Sequence, residues 1–499
     1  MTHDNDSMVH HPRERASRGR RDAVLHIVSS PSRMRDVLER HLLRPNGGAD
    51  QITTCRVGKI RTGHGYRFLV EYHLRLRSPR SGKAAHLMVT GMSHAGAQTR
   101  QLWETLRFSA PESDATGAMT SGPIASFSYV PDLDMRLQVF PHDARLPGLA
   151  PLMAGCPPEL LPSILAEFGD GPWQLEHWTA EPLKYRPTRR ATMRLDVRAR
   201  NTESGRIDER LYFAKVYPDP SEALRAYQRQ DDLYQRIVAA GAPFGVAKPI
   251  AHASDLQTVI QSAVPGVSLD RLVASGPDAC HALRVAARAV AGLHQTPLDG
   301  HSFDGYGSPR SLPNRIDRLQ RDGALLGSAH PELAGPIATL VATIVAGLSG
   351  VPPAPIHGDL KPEHMYIDGS NVFMIDFDFL QASDPMLDVI RMETYLAKSR
   401  DPASAPSGGE AAARVFLDEY FACSPREVQV RLPLYHAMSM MTAAARVESG
   451  RNPDQQSLVE DYIRQATLLL QEQAAREVAR PHRAGRSFRS PPSADTIRG

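Results

Sequence analysis

Residues 356–378, IHGDLKPEHMYIDGSNVFMIDFD, hold three groups able to act on one substrate: Asp359, His364 and Asp376. MYI and VFMI read as two short strands joined by an Asp368-Gly369 turn, a common hairpin signal. A hairpin folds back on itself, so the loop before it, with Asp359 and His364, and the residues after it, with Asp376, become neighbours. Carboxylates converging at strand ends suit Mg²⁺, which takes few protein oxygens and leaves positions for phosphate oxygens and water.

A second chemical signal is Lys215, set among Tyr212, Phe213, Ala214, Val216 and Tyr217 in an apolar strand. A charge there must find a partner or reach to water. The strand closes a hairpin, RRATMRLDVRAR and LYFAKVY around NTESGRIDER. The next segment, SEALRAYQRQDDLYQRIVAAG, reads as a helix, with Leu224, Tyr227, Tyr234 and Val238 as its inward stripe and Gly241 as its stop. Asp231 fills the gap in that stripe, and Asp232 and Glu222 are its rivals as partner of Lys215. A strand, LQTVIQSAV, follows and ends at Pro265-Gly266. From about 277 to about 474 the pattern is helical, apart from the 356–378 hairpin. A strand-rich lobe followed by a helical lobe, with a crevice between them, is the expectation.

An earlier hairpin has the same strand phase: YRFLVEYHLRLR, with Phe68, Val70, Tyr72, Leu74 and Leu76 on one face, then SPRSGK and AAHLMVTGM. Aligned at an offset of 125 residues, it sets Thr90 opposite Lys215. A duplicated lobe that binds no nucleotide and two unrelated hairpins both fit. The Pro- and Leu-rich stretch from Asp134 to Pro162 reads as a belt between the two units.

HGDLKPEH followed by a hairpin and IDFD resembles the catalytic and metal loops of the aminoglycoside phosphotransferase and choline kinase superfamily, and more distantly those of protein kinases. The resemblance extends over about 157–475. LYFAKVY is similar to the strand with the ATP-contacting lysine, VIQSAVPG to the hinge, VAGLHQTP to a Leu-His helix end, and SDPMLDV to a G-D-P-x-x-D segment. It implies an α+β, bilobal protein-kinase-like fold with an additional N-terminal α+β accessory domain. It also implies transfer of the γ-phosphoryl of ATP to a hydroxyl of a small polar molecule. Asp359 would orient the attacking hydroxyl, Asp376 would hold Mg²⁺, and Lys215 would neutralise phosphate charge, with Asp231 as its acidic partner. Ser262 and Val264 would lie beside the adenine, and Asp388 would brace the catalytic loop.

Two departures stand out. No glycine-rich phosphate loop is present; KYRPTRRATMR occupies its place, where Arg189 or Arg190 supplies charge or is merely solvated. His364 stands where relatives have a metal-binding Asn. Three readings stay open: a metal ligand that favours Mn²⁺, a phosphate contact, or a missing second metal site with slow turnover. These departures motivate an alternative, a catalytically weak pseudokinase that serves as a nucleotide-binding or scaffold protein. The HGD form and the lack of an A-P-E segment argue against a protein kinase. The acceptor is not legible: the stretch 385–470 mixes Glu393, Asp418 and Glu419 with Arg391, Arg414 and Arg446.

The 499 residues exceed one hydrophobic core. The expected organisation is a basic tail (1–22), an accessory domain (23–155), an N-lobe (156–264), a helical C-lobe (265–477) and a second tail (478–499). A net charge of +3 gives no warrant for a nucleic-acid partner. Cys55, Cys156, Cys280 and Cys423 lie too far apart for a zinc or disulfide framework. The N-terminus has no apolar signal region, and the longest apolar stretch, Ile337–Leu348, is short for a membrane span. A cytoplasmic protein with no membrane partner is expected, its oligomeric state open.

Overall fold

The computed structural model describes residues 23–43, 51–63, 65–77, 84–94, 98–109, 124–276, 279–297, 311–398, 408–449 and 456–478. The expected tails, apart from Val478, lie outside these residues. The chain forms two compact units: Met1–Gln235 with Ala247–Ala263, and Arg236–Val246 with Val264–Gly499.

The first unit opens with α1 (23–28) and α2 (Pro31–Leu42). Then come β1 (Gln51–Gly63), β2 (Tyr66–Arg77), β3 (Ala84–His94), α3 (Gln98–Ser109), β4 (Phe127–Val130) and β5 (Met135–Val139), in a sheet of order β1-β2-β3-β5-β4. Alternation sends Phe68, Val70, Tyr72, Leu74 and Leu76 of β2 and Met135, Leu137 and Val139 of β5 into one core with Met34, Leu38 and Leu42 of α2. After α4 (Leu149–Ala154) and α5 (Leu161–Ala166), a second sheet uses β6 (Trp173–Arg186), β7 (Arg190–Asn201) and β8 (Ile207–Val216). The helix α6 (Pro220–Ala240), β10 (Pro249–Ala253) and β11 (Thr258–Ser262) follow, with the short β9 (Gly245–Val246) of the second unit between α6 and β10 in the chain. The order of this second sheet is β10-β11-β8-β7-β6. Both sheets are therefore a three-strand meander, a helix, and a hairpin whose second strand docks on the third strand of the meander. Thr90 of β3 and Lys215 of β8 occupy equivalent strands.

Two expectations are corrected here. Leu146, Leu149 and Leu152 of the belt pack into the second sheet's core with Met193, Leu195 and Ala214, so that core begins before residue 156. In α6 the buried side is Ala223, Ala226, Gln230, Leu233 and Ile237, whereas Leu224 and Val238 are exposed. Asp231 is thus beside the buried stripe rather than within it.

The second unit contains β12 (Val267–Ser268), α7 (Leu269–Ser275), α8 (Ala279–His294), α9 (Leu312–Ala329) and α10 (Ala334–Leu348). Next are β13 (Ala354–Ile356), β14 (Met365–Asp368), β15 (Asn371–Met374), β16 (Gln381–Ser383) and α11 (Met386–Lys398). The last helices are α12 (Gly408–Ala422), α13 (Arg426–Gln429), α14 (Leu432–Ser449) and α15 (Gln456–Val478). The hairpin β14–β15 forms as expected, closing at Asp368 opposite Asn371, inside a sheet of order β12-β14-β15-β9. A helical turn at 331–333 extends the apolar α10 to 18 residues, Pro331–Leu348, with mean hydropathy 1.5. By length and composition alone that segment could cross a membrane, which the shorter stretch Ile337–Leu348 did not suggest. It buries Ile337, Leu340, Ile344 and Leu348.

Candidate active site

The loop after β13 turns sharply at Gly358, whose φ is +78°. A Cβ there would collide with the Phe379 carbonyl oxygen, so only glycine fits. Asp388, fully buried in the first turn of α11, holds this turn from below. Its carboxylate accepts the His357 N–H at 2.6 Å and the Gly358 N–H at 2.9 Å. His294 Nε2 lies 3.4 Å away, and the other ring nitrogen of His294 is 2.8 Å from the Tyr420 hydroxyl. These donors outweigh burial and hold the Asp388 carboxyl below the usual carboxylate range. His357 donates from Nε2 to the Ile375 carbonyl at 2.8 Å, and its Nδ1 accepts the Asp359 N–H at 3.3 Å.

Asp359 emerges from this braced loop with its side chain only 10% exposed. Arg391 Nη1 reaches its Oδ1 at 2.7 Å, and Lys361 Nζ lies 3.4 Å from Oδ2. Both oxygens of this carboxylate therefore carry cationic contacts, and it is held as an oriented anion. The sequence reading placed neither cation here. Lys361 is two residues from Asp359; Arg391 is one helical turn beyond Asp388 on the same face of α11, and that spacing was the available signal.

His364 and Asp376 meet at the open end of the hairpin, with the Ile375 N–H donating to the His364 carbonyl at 3.0 Å. His364 Nε2 is 3.5 Å from Asp376 Oδ2 and 3.6 Å from Glu363 Oε1. Asp376 adopts a left-handed backbone, φ +70°, which Asp tolerates better than most residues. Burial, and then the stacked His357 ring, lower the His364 pKa to about 3, against the opposing pull of Asp376. The imidazole is neutral at physiological pH, and its Nδ1 has no hydrogen-bond partner among the described residues. Among those residues no group of three or more His, Cys, Asp or Glu side chains is arranged around a metal position.

In the first unit, Lys215 is buried in β8 between Thr192 of β7 and Val259 of β11. Asp231 is half-buried and accepts a long contact from Gln235 at 3.4 Å. Its rival Glu222 pairs with Arg190 at 3.0 Å, and that guanidinium lies 4.7 Å from the centre of the Tyr217 ring. Ser262 is committed to Lys248: its N–H donates to the Lys248 carbonyl and its Oγ accepts the Lys248 N–H, both at 2.9 Å. The Ser262 N–H and Oγ are therefore both engaged within the strand-rich unit. Val264, half-buried, is the first residue of the second unit after that strand.

Residues 193–422 match the sequence model of the phosphotransferase enzyme family APH. This segment is similar to that phosphotransferase family. It takes in β8, the loop with Asp359, the β14–β15 hairpin and Asp388. A streptomycin–ATP ternary complex of APH(2")-IIa is 16% identical, covering 58% of this chain and 92% of that one, at a TM-score of 0.38. A choline/ethanolamine kinase family protein from Mesorhizobium loti is 14% identical, covering 58% and 87%, at 0.33. An aminoglycoside-3'-phosphotransferase of type VIII is 19% identical, covering 56% and 98%, at 0.33. No curated protein matches the chain. The matched segment contains Asp359 and Asp376, with His364, Lys361 and Arg391 around them.

Proposed function

We propose that the protein transfers the γ-phosphoryl group of ATP to a hydroxyl of a small polar molecule. The observation that carries this reading is the braced turn: Asp388 fixes Gly358 and His357, and so presents Asp359 on a rigid loop beside the His364–Asp376 pair. The acceptor hydroxyl donates a hydrogen bond to Asp359 and attacks the γ-phosphorus. The bond from that phosphorus to the β–γ bridging oxygen breaks, ADP departs, and the hydroxyl proton passes to Asp359 or to water. Asp359, with Arg391 on one oxygen and Lys361 on the other, acts chiefly by orientation. Lys215 is the charge assigned to the nucleotide phosphates. Asp376, about a third exposed, is a hard oxygen ligand suited to Mg²⁺, and neutral His364 suits Mn²⁺ better. A divalent ion held there would offset negative charge on the transferring phosphoryl group.

The test is ATP consumption by the full chain against a panel of sugars, amino alcohols and aminoglycosides, with Asp359→Asn beside the wild type. A general-base contribution is typically about 10²–10⁴-fold, so the variant should lose roughly that much rate while its ATP affinity stays the same. Retention of most of the rate refutes the assignment. One observation favours the second reading, a pseudokinase: the amide ligand usual in relatives is replaced by an imidazole. That reading predicts no turnover with either metal.

A further inference from the structure

The N-terminal sheet is buried on both faces along β5 and the C-terminal half of β3, and one of those faces is polar. On β5, Met135, Leu137 and Val139 face the apolar core, so Arg136 and Gln138 face the other way. Pairing sets Arg136 opposite Met92 and Gln138 opposite Thr90 on β3, and His94 extends the same row. Arg136 is 5% exposed, Gln138 1% and His94 9%. Apolar side chains would suit such a buried face, because each unpaired polar group there costs free energy.

These groups are not paired with one another. Arg136 makes no ion pair with the described residues and its Nε has no hydrogen-bond partner among them; Nη2 reaches only the Met92 sulfur, a weak acceptor, at 3.9 Å. His94 Nδ1 and Gln138 Oε1 are likewise without partners. The nearby carboxylate, Asp143, is already committed. Its Oδ1 accepts the Arg145 N–H at 2.9 Å, and its Oδ2 accepts the Tyr185 hydroxyl and the Thr188 N–H, both at 2.8 Å. Burial lowers the Arg136 pKa, with Arg145 adding to this and Asp143 opposing it. Among the described residues this guanidinium has no anion of its own.

Arg136 and His94 open into a cavity of about 530 Å³, roofed by one face of α3 through Gln98, Leu102 and Leu106 and flanked by Tyr66 and the exposed Arg145. That volume suits a small molecule. We propose that this cavity binds a small organic anion, a carboxylate or a phosphate ester with a compact apolar body. Arg136 is the buried counter-charge, Arg145 the rim cation, and Leu102, Leu106 and the Tyr66 ring contact the body. The site touches the second sheet through Tyr66, and Gln138 Nε2 of the same polar row reaches the Tyr185 hydroxyl at 3.3 Å. Tyr66 packs on His94 at 4.7 Å between ring centres, and its hydroxyl lies 2.8 Å from Thr188 Oγ1 in the β6–β7 turn.

The test is calorimetry and thermal unfolding of the full chain with inorganic phosphate, phenyl phosphate, benzoate and, as a neutral control, benzyl alcohol. Saturable binding of phenyl phosphate or benzoate, but not of benzyl alcohol, is expected. Response to the phosphates alone identifies a phosphate site, and response to benzoate alone a carboxylate site. Lys215→Met should bind the anion as the wild type does, which separates this cavity from the nucleotide site. Arg136→Met should bind at least about tenfold more weakly, from the loss of a charge-assisted hydrogen bond. Without anion its unfolding midpoint should equal or exceed that of the wild type, because it removes an unpaired buried charge. A purely structural arginine would give a lower midpoint. Should that variant not fold, Leu102→Glu sets a carboxylate in the roof and should abolish binding. No saturable binding of any anion, equal binding by Arg136→Met or Leu102→Glu, loss of binding in Lys215→Met, or equal binding of benzyl alcohol overturns the proposal.

Discussion

Asp388→Asn isolates the brace under the catalytic loop. The native carboxylate is fully buried and accepts two backbone N–H groups, at 2.6 and 2.9 Å, with His294 as a third neighbour at 3.4 Å. An asparagine has the same shape but one acceptor oxygen, so its N–H₂ must face the second backbone donor. One charge-assisted bond is lost and one buried N–H is left unpaired, together roughly 2–5 kcal/mol. That is a large share of the 5–15 kcal/mol typical of a domain. The damage falls on Gly358, where the backbone is left-handed, and is passed to the adjoining Asp359. A displacement of about 1 Å there can cost ~10²-fold in rate. The expected result is a lower urea midpoint by circular dichroism, with kcat down by about 10²-fold in a phosphate-release assay. Because the Asp388 pKa is lowered in the folded state, its contribution is present above the unfolded value of about 3.9 and fades as pH falls below it. The wild-type advantage should therefore shrink on acidification. A variant with an unchanged urea midpoint and an unchanged kcat would refute the reasoning.

Three further outcomes can be checked. His364 is neutral when folded, with a pKa of about 3, and its unfolded value is about 6.5. The unfolded chain binds the extra proton between these values, so stability should fall as pH drops below 6.5, by up to about 1.4 kcal/mol per unit. His364→Asn should flatten that slope in urea melts at pH 7, 5 and 4, and should shift metal preference from Mn²⁺ towards Mg²⁺. Removing Arg391 takes away the cation at Asp359 Oδ1; Arg391→Met should lower kcat by roughly 10–10²-fold with little change in ATP KM, and Arg391→Lys should recover part of it. Asp384, with its side chain wholly buried, pairs with Arg431 through two contacts of 3.0 Å, so Arg431→Met should destabilise the fold by about 3–5 kcal/mol, read from chemical unfolding.

What could be read from the linear chain was local. Asp359, His364 and Asp376 gather because a hairpin brings its two ends together, and turn chemistry at Asp368-Gly369 announces that geometry. Alternation likewise announced the inward face of β2. The helix α6 was legible as a helix but not in its phase. Its buried side is marked by alanines and Gln230, while two larger apolar residues, Leu224 and Val238, remain exposed. The long-range contacts were decided by tertiary structure alone. Asp388 reaches Gly358 across 30 residues, and Arg391 reaches Asp359 across 32. Electrostatics depended on it too: histidine alone suggests titration near 6.5, but burial beside His357 moves His364 to about 3. The shared strand phase of two hairpins could be read from the sequence, but the common order of the two five-stranded sheets became visible only from strand pairing. The charge of Arg136 could be read at once; that it is buried without an anion followed only from which strands pack together and which carboxylates were already engaged.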